Sequence, residues 1–398
     1  MTAQAPLLHV IGAGPWQLAT IGRAQQLGCR VLVTDGMADR PGFAAADLHA
    51  VADITDLEAT LAVARRHGVT GVLCDTTDNG VLAAAHVAAE LGLPGLSRAA
   101  ALNCTDKARM TACAAAAGLL VPASVKVQSP QAALAAAQGP GPWVFKPVDN
   151  QSGRGVSVVT QASARSAAVS AAFRNSRSQE VLVQEFISGS EIIVDSLVVA
   201  GRVHRLGIAS KTPYPDNPTI SSRITYDAKS LAPEVLARVD DTNLRLLQAL
   251  GVRQGLVHAE YMLTADQVVP IDVAARGGGV HIYSLVLPHV SGVDAMRCAI
   301  ELALGRPVTV KPLEHSLAAN IEFLRCGAGV IQSIQGVKEA ADVPGVARVH
   351  LNRQAGQRVG GLDDKDQRLG HVITLTATAG AAVQAGERAA QAIHVELR

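Results

Sequence analysis

Two carboxylates and one arginine occupy positions that solubility alone does not explain. They lie in Val257–Gly279, VHAEYMLTADQVVPIDVAARGGG. The apolar alternation predicts two strands, Val257–Leu263 and Val268–Val273, joined by a turn at Thr264-Ala265-Asp266. Glu260 falls in the first strand and Asp272 in the second. Paired strands set residues face to face, so the two acids can converge on one face. Adjacent carboxylates raise each other's pKa unless a cation lies between them. An all-oxygen pair suits Mg²⁺, which one or two carboxylates hold together with the phosphates of a nucleotide. Arg276 follows, then Gly277-Gly278-Gly279, where backbone can approach a ligand closely. The plainer alternative is a hairpin with solvent-facing acids and a glycine turn.

Three further stretches bear on that choice. In Asn103–Arg109, NCTDKAR, Thr105 is a candidate N-cap and Lys107 falls in the first helical turn. A cation there opposes the helix dipole unless an anion is near. Trp143–Val159, WVFKPVDNQSGRGVSVV, reads as a strand carrying Lys146, a flexible loop Asp149–Gly155 and a returning strand. A strand–loop–strand is not the P-loop, whose lysine ends a loop that opens a helix. It suits either a lid whose amides fold over phosphates, with Lys146 as a point charge, or a plain surface hairpin, and Arg154 either reaches phosphate or points at water. In Glu180–Glu191, EVLVQEFISGSE, Gln184, Glu185 and Glu191 interrupt a buried pattern. Such an edge can offer backbone groups to adenine and a carboxylate to ribose, and core strands with exposed polar alternates give the same letters.

The elements that must position these groups follow an α/β order. Leu7–Ile11, Gly12-Ala13-Gly14, a helix over Gln17–Leu27 and a strand Cys29–Thr34 ending at Asp35 make a βαβ opening. Strands at Ala50–Ile54 and Val69–Cys74 with helices at Leu57–His67 and about Asn79–Leu91 extend it into a parallel doubly wound sheet. Further on, Leu197–Ile208 predicts a hairpin, and Thr212–Thr225 reads as an irregular proline-rich loop of the kind that covers substrates. Pro233–Leu250 predicts an amphipathic helix, and His281–Pro288 and Gly292–Leu304 two more. Short strands (Leu317–Phe323, Val346–Leu351, His371–Thr378) and a final helix, Gly380–Ile393, complete the chain. His258, His281 and His289 lack metal-like spacing and read as packing or hydrogen-bonding residues.

Composition narrows the function classes. With 398 residues and 48% apolar content, the chain is long enough for two or three domains. Its 35 basic and 34 acidic residues give a net charge of +1, without the basic footprint of a nucleic-acid or membrane-surface binder. Six scattered cysteines with no CxxC pair suit a reducing compartment. No signal peptide and no membrane-spanning run stand out, so a cytoplasmic protein is expected.

Taken in order, Lys107, Lys146 with its glycine loop, QEFISGSE, Glu260 and IDVAARGGG resemble the ATP-grasp superfamily, closest to its carbamoyl-phosphate-synthetase-like and amino-acid-ligase members. The resemblance spans the chain. It implies a Rossmann-like pre-ATP-grasp domain (1–105), a two-lobed ATP-grasp domain (106–306, lid about 120–190) and a small α+β C-terminal domain (307–398). By position it implies that Lys107 and Lys146 contact the phosphates of ATP under a loop of Ser152, Gly153 and Gly155. Glu185 and Ile187 would serve adenine with Gln184 nearby, and Glu191 would bind ribose. Glu260 and Asp272 would hold Mg²⁺, and Arg276 would stabilise the phosphoryl group in flight. Arg223, Arg276 and Gly278 are its candidates for substrate recognition.

The implied reaction joins a small carboxylate, an amino acid or related metabolite, to an amine through an acyl phosphate, giving ADP and phosphate. Its partners would be small molecules, and homodimers are common in the superfamily. One departure stands out: the usual Glu-x-Asn-x-Arg reads Asp272-Val273-Ala274-Ala275-Arg276 here. Ala274 offers no oxygen, which leaves a second Mg²⁺ weakly held, completed by water or absent. Two rivals stay open. One is a nucleotide binder with little or no turnover, resting on Ala274. The other is an NAD-dependent oxidoreductase, resting on Gly12-Ala13-Gly14 and Asp35.

Overall fold

The protein is described by a computed structural model covering residues 5–150, 153–360 and 365–398. Its first sheet is parallel, with β1 (Leu7–Ile11), β2 (Arg30–Asp35), β3 (Leu48–Val51) and β4 (Gly71–Leu73) in the order β3-β2-β1-β4. β1 is buried along its whole length, as apolar runs covered on both faces of a parallel sheet require. The helix Leu57–His67 shows how local sequence sets the boundaries. The Asp56 side chain accepts from the amides of Glu58 and Ala59, and Gly68 ends it at φ 64°. β3 lies earlier than the expected Ala50–Ile54, because Leu48 rather than Ile54 pairs with β2, at Leu32.

A second, antiparallel sheet contains β5 (Ser124–Val127), β6 (Trp143–Pro147), β7 (Ser157–Val159) and β8 (Val181–Glu185), in the order β5-β8-β6-β7. The large sheet follows. It is formed by β9 (Ser190–Val199), β10 (Arg202–Tyr214), β11 (Asn217–Tyr226), β12 (Gly255–Leu263), β13 (Val268–Ala274) and β14 (Ala318–Leu324). After β15 (Gly329–Gln335) come β16 (Val346–Leu351), β17 (Arg358–Val359), β18 (Gly370–Thr376) and β19 (His394–Leu397). The eight-stranded order is β13-β12-β9-β10-β11-β14-β18-β16, so strands from beyond residue 307 continue the sheet that carries Glu260 and Asp272.

Alternation decides which face those acids take. Ile192, Val194, Val198, Val257, Ala259, Tyr261 and Val273 share one hydrophobic cluster with Val239, Leu246 and Leu247 of the helix Pro233–Ala249. Fully burying a leucine contributes about 1.5–3 kcal/mol, so this face is strongly specified. The intervening residues, Glu191, Asp195, His258, Glu260 and Asp272, are thereby left to the opposite face.

Several expectations change. Thr212–Thr225 is not an irregular loop: it forms the paired ends of β10 and β11, with register shifts on either side of Pro213. Those bulges absorb prolines that on sequence argue against a strand. His281–Pro288 is not one helix. Val280 and His281 adopt φ 55° and 57°, a π-turn spans Ile282–Val286, and an α-helix covers Leu287–Ser291. Thr105 ends the preceding helix, and Asp106 caps Lys107–Ala116 by accepting from Ala108 and Arg109. Among the described residues no helix is long and apolar enough to cross a membrane, and all six cysteines are free thiols.

One buried polar chain pins the large sheet to its helix. Tyr261 Oη donates to Asn243 Oδ1 (2.8 Å), and Asn243 Nδ2 donates to Ser196 Oγ (3.0 Å). Tyr261→Phe leaves the Asn243 oxygen unpaired in the core. It is expected to lower stability by about 1–3 kcal/mol, read as an earlier midpoint in urea denaturation.

Candidate active site

Glu260 and Asp272 are direct cross-strand partners of β12 and β13. Two residues along the ladder, on the same face, His258 is opposite Ala274. Burial raises the cost of each ionised carboxylate, and three lysines from three elements answer it. Lys107, the first residue of its helix, reaches Asp272 Oδ1 at 3.0 Å and donates to the Asn150 carbonyl at 3.0 Å. Lys146, on β6 of the second sheet, is 6% exposed and donates to the Ile271 carbonyl at 3.0 Å. Lys211, on β10, donates to Glu191 and, at 3.1 Å, to Glu260.

The proton equilibria follow from these contacts. Burial opposes charge on Lys107, but the carboxylates of Asp272, Asp78 and Glu260 together outweigh it and hold its pKa above the usual value. Burial, with Lys107 adding to it and Asp272 opposing, brings Lys146 down to about 8. Burial would raise Glu260, yet Lys211, Lys365 and His258 together keep it well below the usual carboxylate range. Burial wins at Glu191, which is raised despite Lys211.

Glu260, Asp272 and Lys211 border a cleft of about 1120 Å³ between the first sheet, the large sheet and the C-terminal strands. Gly153 and Arg154 of the glycine loop reach it, as do Lys211, His258, Glu260, Asp272 and Arg276. Gly155, at φ 73°, has no room for a side chain, since a Cβ would lie 2.7 Å from that of Asn175. Ser152 lies outside the described residues. Arg276 is held by Asp78 at 2.7 and 3.2 Å, and its own Nη1 donates to the Gly277 carbonyl at 2.8 Å.

The hinge residues stand apart from the cleft lining. Gln184 is buried, and the amides of Glu185 and Phe186 donate to Ala123 (2.9 Å) and Pro142 (3.2 Å). Two candidates do not come to the site. Arg223 is taken by Glu322 (2.7 Å) and Glu387 (2.6 Å), which neutralise it on another part of the large sheet. Gly278 serves packing, because a Cβ would meet Ile282 at 2.9 Å and His258 at 3.1 Å.

Sequence reasoning missed four groups. Lys211 carried a faint signal, as one of only eight lysines and in a strand that turned out to be half-buried. His258, expected to pack or hydrogen-bond, does bond to Asp195 Oδ1 through Nδ1 (2.7 Å), and it also lines the cleft, which its spacing did not signal. Lys365 enters the cleft from the C-terminal region, its pKa drawn down to about 8 by burial and by Lys211. Asp78 is the fourth, and only the fold brings it to Arg276. Asp35, in turn, caps its own glycine turn, accepting from the amides of Ala13 (3.0 Å) and Met37 (3.1 Å).

The donor set fits a hard divalent cation. Two carboxylates in register supply oxygen ligands, and phosphates would complete the shell. Among the described residues no cluster of three or more His, Cys, Asp or Glu could hold a metal unaided.

Comparisons with known proteins agree with this arrangement. Residues 140–284 match the family described as ATP-grasp domain, and residues 322–398 match L-amino acid ligase C-terminal domain 2. The fold superimposes on an L-amino acid ligase from Bacillus licheniformis with a TM-score of 0.84 at 22% identity, each chain covered completely. A phosphoribosylglycinamide synthetase from Anaerococcus prevotii gives 0.78 at 16% identity, covering 99% of this chain and 100% of that one. In sequence, a formate-dependent phosphoribosylglycinamide formyltransferase from Synechococcus is 26% identical over 345 residues, 85% of this chain and 87% of its own. The ATP-grasp match spans Lys146, Lys211, Glu260, Asp272 and Arg276, so the chain carries an ATP-grasp domain over residues 140–284 and a segment of the L-amino acid ligase C-terminal type over 322–398.

Proposed function

We propose that the protein is an ADP-forming carboxylate–amine ligase that activates a small carboxylate, an amino acid or close relative, as an acyl phosphate. The observation that carries this reading is the opposed pair Glu260–Asp272 with Lys107, Lys146 and Lys211 gathered around it. Phosphoryl transfer is catalysed mainly by positioning and by neutralising charge, and these residues are suited to both. Glu260 and Asp272 would hold Mg²⁺, whose chemistry when bound is to shield the phosphate oxygens.

In the proposed reaction Lys107 and Lys146 orient the triphosphate beneath the Gly153–Gly155 loop. The Ile187 amide has no partner among the described residues and, with the Glu185 carbonyl, would receive adenine; Glu191 would take the ribose. A carboxylate oxygen attacks the γ-phosphorus, the bond to the β-phosphate oxygen breaks, and ADP leaves. Arg276 balances charge on the transferring group. An amine then attacks the acyl carbon, the C–O bond to phosphate breaks, and the amine surrenders a proton as phosphate departs. In this reading residues 1–105, 106–306 and 307–398 act as three units, the last sharing the large sheet through β14, β18 and β16.

The test is to offer Mg²⁺-ATP with carboxylates and amines in pairs, amino acids foremost, and to identify the nucleotide released. ADP formed only when both substrates are present supports the proposal; AMP, or turnover independent of a carboxylate, overturns it. Lys146→Ala is expected to lower kcat at least about 100-fold, and Asp272→Ala to remove Mg²⁺ dependence along with activity. Near-wild-type turnover in either variant would take that residue out of the reaction.

A pH dependence follows from Lys146. Its pKa of about 8 in the nucleotide-free protein means it is a cation below pH 8 and loses its charge above it. A bound triphosphate favours the cation, so ATP should bind tightly near pH 7 and progressively more weakly between pH 8 and 9.5. Lys146→Arg, whose guanidinium stays protonated, should flatten that rise in Kd. An unchanged profile in the variant would show that another group controls it.

A further inference from the structure

We infer that the cleft holds a further subsite, a shelf of rings made by Trp16, Phe323, His371 and His350, which takes a flat, uncharged aromatic group carrying a hydrogen-bonding atom, such as a phenol or an azole. It rests on the ligase reading above only in making that group the side group of a substrate.

β14, β18 and β16 are neighbours in the large sheet, and their register lines up three rings. Phe323 is the cross-strand partner of His371, and His371 is that of His350. Direct partners project to the same face, and the ring centres lie 6.5 and 5.1 Å apart. The backbones leave no slack, since a Cβ on Gly370 would collide with the His350 carbonyl. Trp16 meets this row from the side of the first sheet, its ring centre 5.6 Å from that of His350 and 6.0 Å from that of His371. All four rings border the cleft that also holds Glu260, Asp272 and Arg276. Asp75 fixes the spacing between shelf and arginine. Its carboxylate accepts from Gln17, next to Trp16, at 3.0 Å, and its carbonyl accepts from the Gly277 amide at 2.7 Å. His281, further along the Arg276 loop, meets Trp16 edge to face at 5.3 Å.

Rings that only fill space need no polar atoms, yet two of these four are imidazoles. His371 is 2% exposed, and its Nε2 has no hydrogen-bond partner among the described residues. A buried polar atom left in that state calls for a use. Burial, reinforced by His350, His281 and Arg348, brings the His371 pKa down to about 3, and burial also lowers that of His350. Both rings are therefore uncharged at neutral pH. A row of neutral rings favours a flat partner, offset-stacked or edge-on, and the unpartnered nitrogen favours one that carries a donor or acceptor. Ligand sites commonly combine aromatic walls with a few polar atoms in this way. The competing role is packing alone, in which the rings hold the first sheet against the C-terminal strands. It predicts lost stability with no change in ligand preference.

The chain has two tryptophans, at 16 and 143, so Trp143→Phe leaves Trp16 as the one indole emitter. The full chain with that substitution, Mg²⁺ and a non-hydrolysable ATP analogue is titrated with tyrosine, phenylalanine and leucine, followed by Trp16 emission and by calorimetry. Tyrosine and phenylalanine are expected to quench Trp16 and to bind at least about fivefold tighter than leucine, tyrosine the tighter of the two. Trp16→Leu, which keeps apolar bulk, should erase the preference over leucine in calorimetry. His371→Phe keeps a ring and removes the nitrogen. It should weaken tyrosine about 2- to 10-fold, to the level of phenylalanine, and it covers the case in which Trp16→Leu fails to fold. Equal or absent binding of the three ligands overturns the inference, as do variants that lower the urea midpoint and leave the preference intact. Ring preference in a protein that releases no ADP with any substrate pair would support the subsite and remove the ligase reading. ADP release with tyrosine and leucine handled alike would do the reverse.

Discussion

Two carboxylates set opposite one another on neighbouring strands cannot both stay ionised without positive charge close by. Glu260 and Asp272 are in that position, and the rest of the cleft answers it. Lys211 comes from the same sheet, Lys107 from the start of a helix, and Lys146 from the separate sheet built of β5–β8. Each supplies charge from a different element, so neutralising the acids also draws those elements together. Two of these cations also suit an anionic ligand: Lys107, besides pairing with Asp272, stands at the positive end of its helix, and Lys146 is buried against a carbonyl rather than a carboxylate. A nucleotide triphosphate with a divalent cation would reverse both imbalances at once.

The first sheet is bound into the same system through Asp75. Its side chain, fully buried, accepts from Gln17 at 3.0 Å and from Tyr283 at 2.7 Å, while its carbonyl receives the Gly277 amide. Gln17 occupies the place of the third glycine of a dinucleotide fingerprint, and here that place serves to tie the glycine turn to the Arg276 loop. Gly277 itself is required by packing, since a Cβ would sit 2.8 Å from the Tyr283 ring. The Gly12–Gly14 turn, with Asp35 accepting from the amides of Ala13 and Met37, is thereby fixed at the edge of the same cleft.

The parts of this account that were legible in the sequence share a physical character. The acids of β12 and β13 were readable because period-two alternation and a short turn fix the register locally, and the Lys146 loop because its glycines have few other uses. Thr212–Thr225 was misread because prolines hide a strand whose bulges lie at Pro213. Lys211, His258 and Asp78 could not be assigned, because each acquires its partner through contacts 20 to 198 residues away that only the fold creates. Arg223 failed for the same reason: its partners Glu322 and Glu387 are nearly or more than a hundred residues distant.

The central claim is that this charge-balanced cleft moves a phosphoryl group onto a carboxylate. It is tested most directly by running the reaction with the carboxylate substrate labelled in both oxygens with ¹⁸O and examining the products by mass spectrometry. The account predicts that inorganic phosphate carries one ¹⁸O, because the bridging oxygen of the acyl phosphate departs with it. Unlabelled phosphate, or label recovered in AMP, would contradict it.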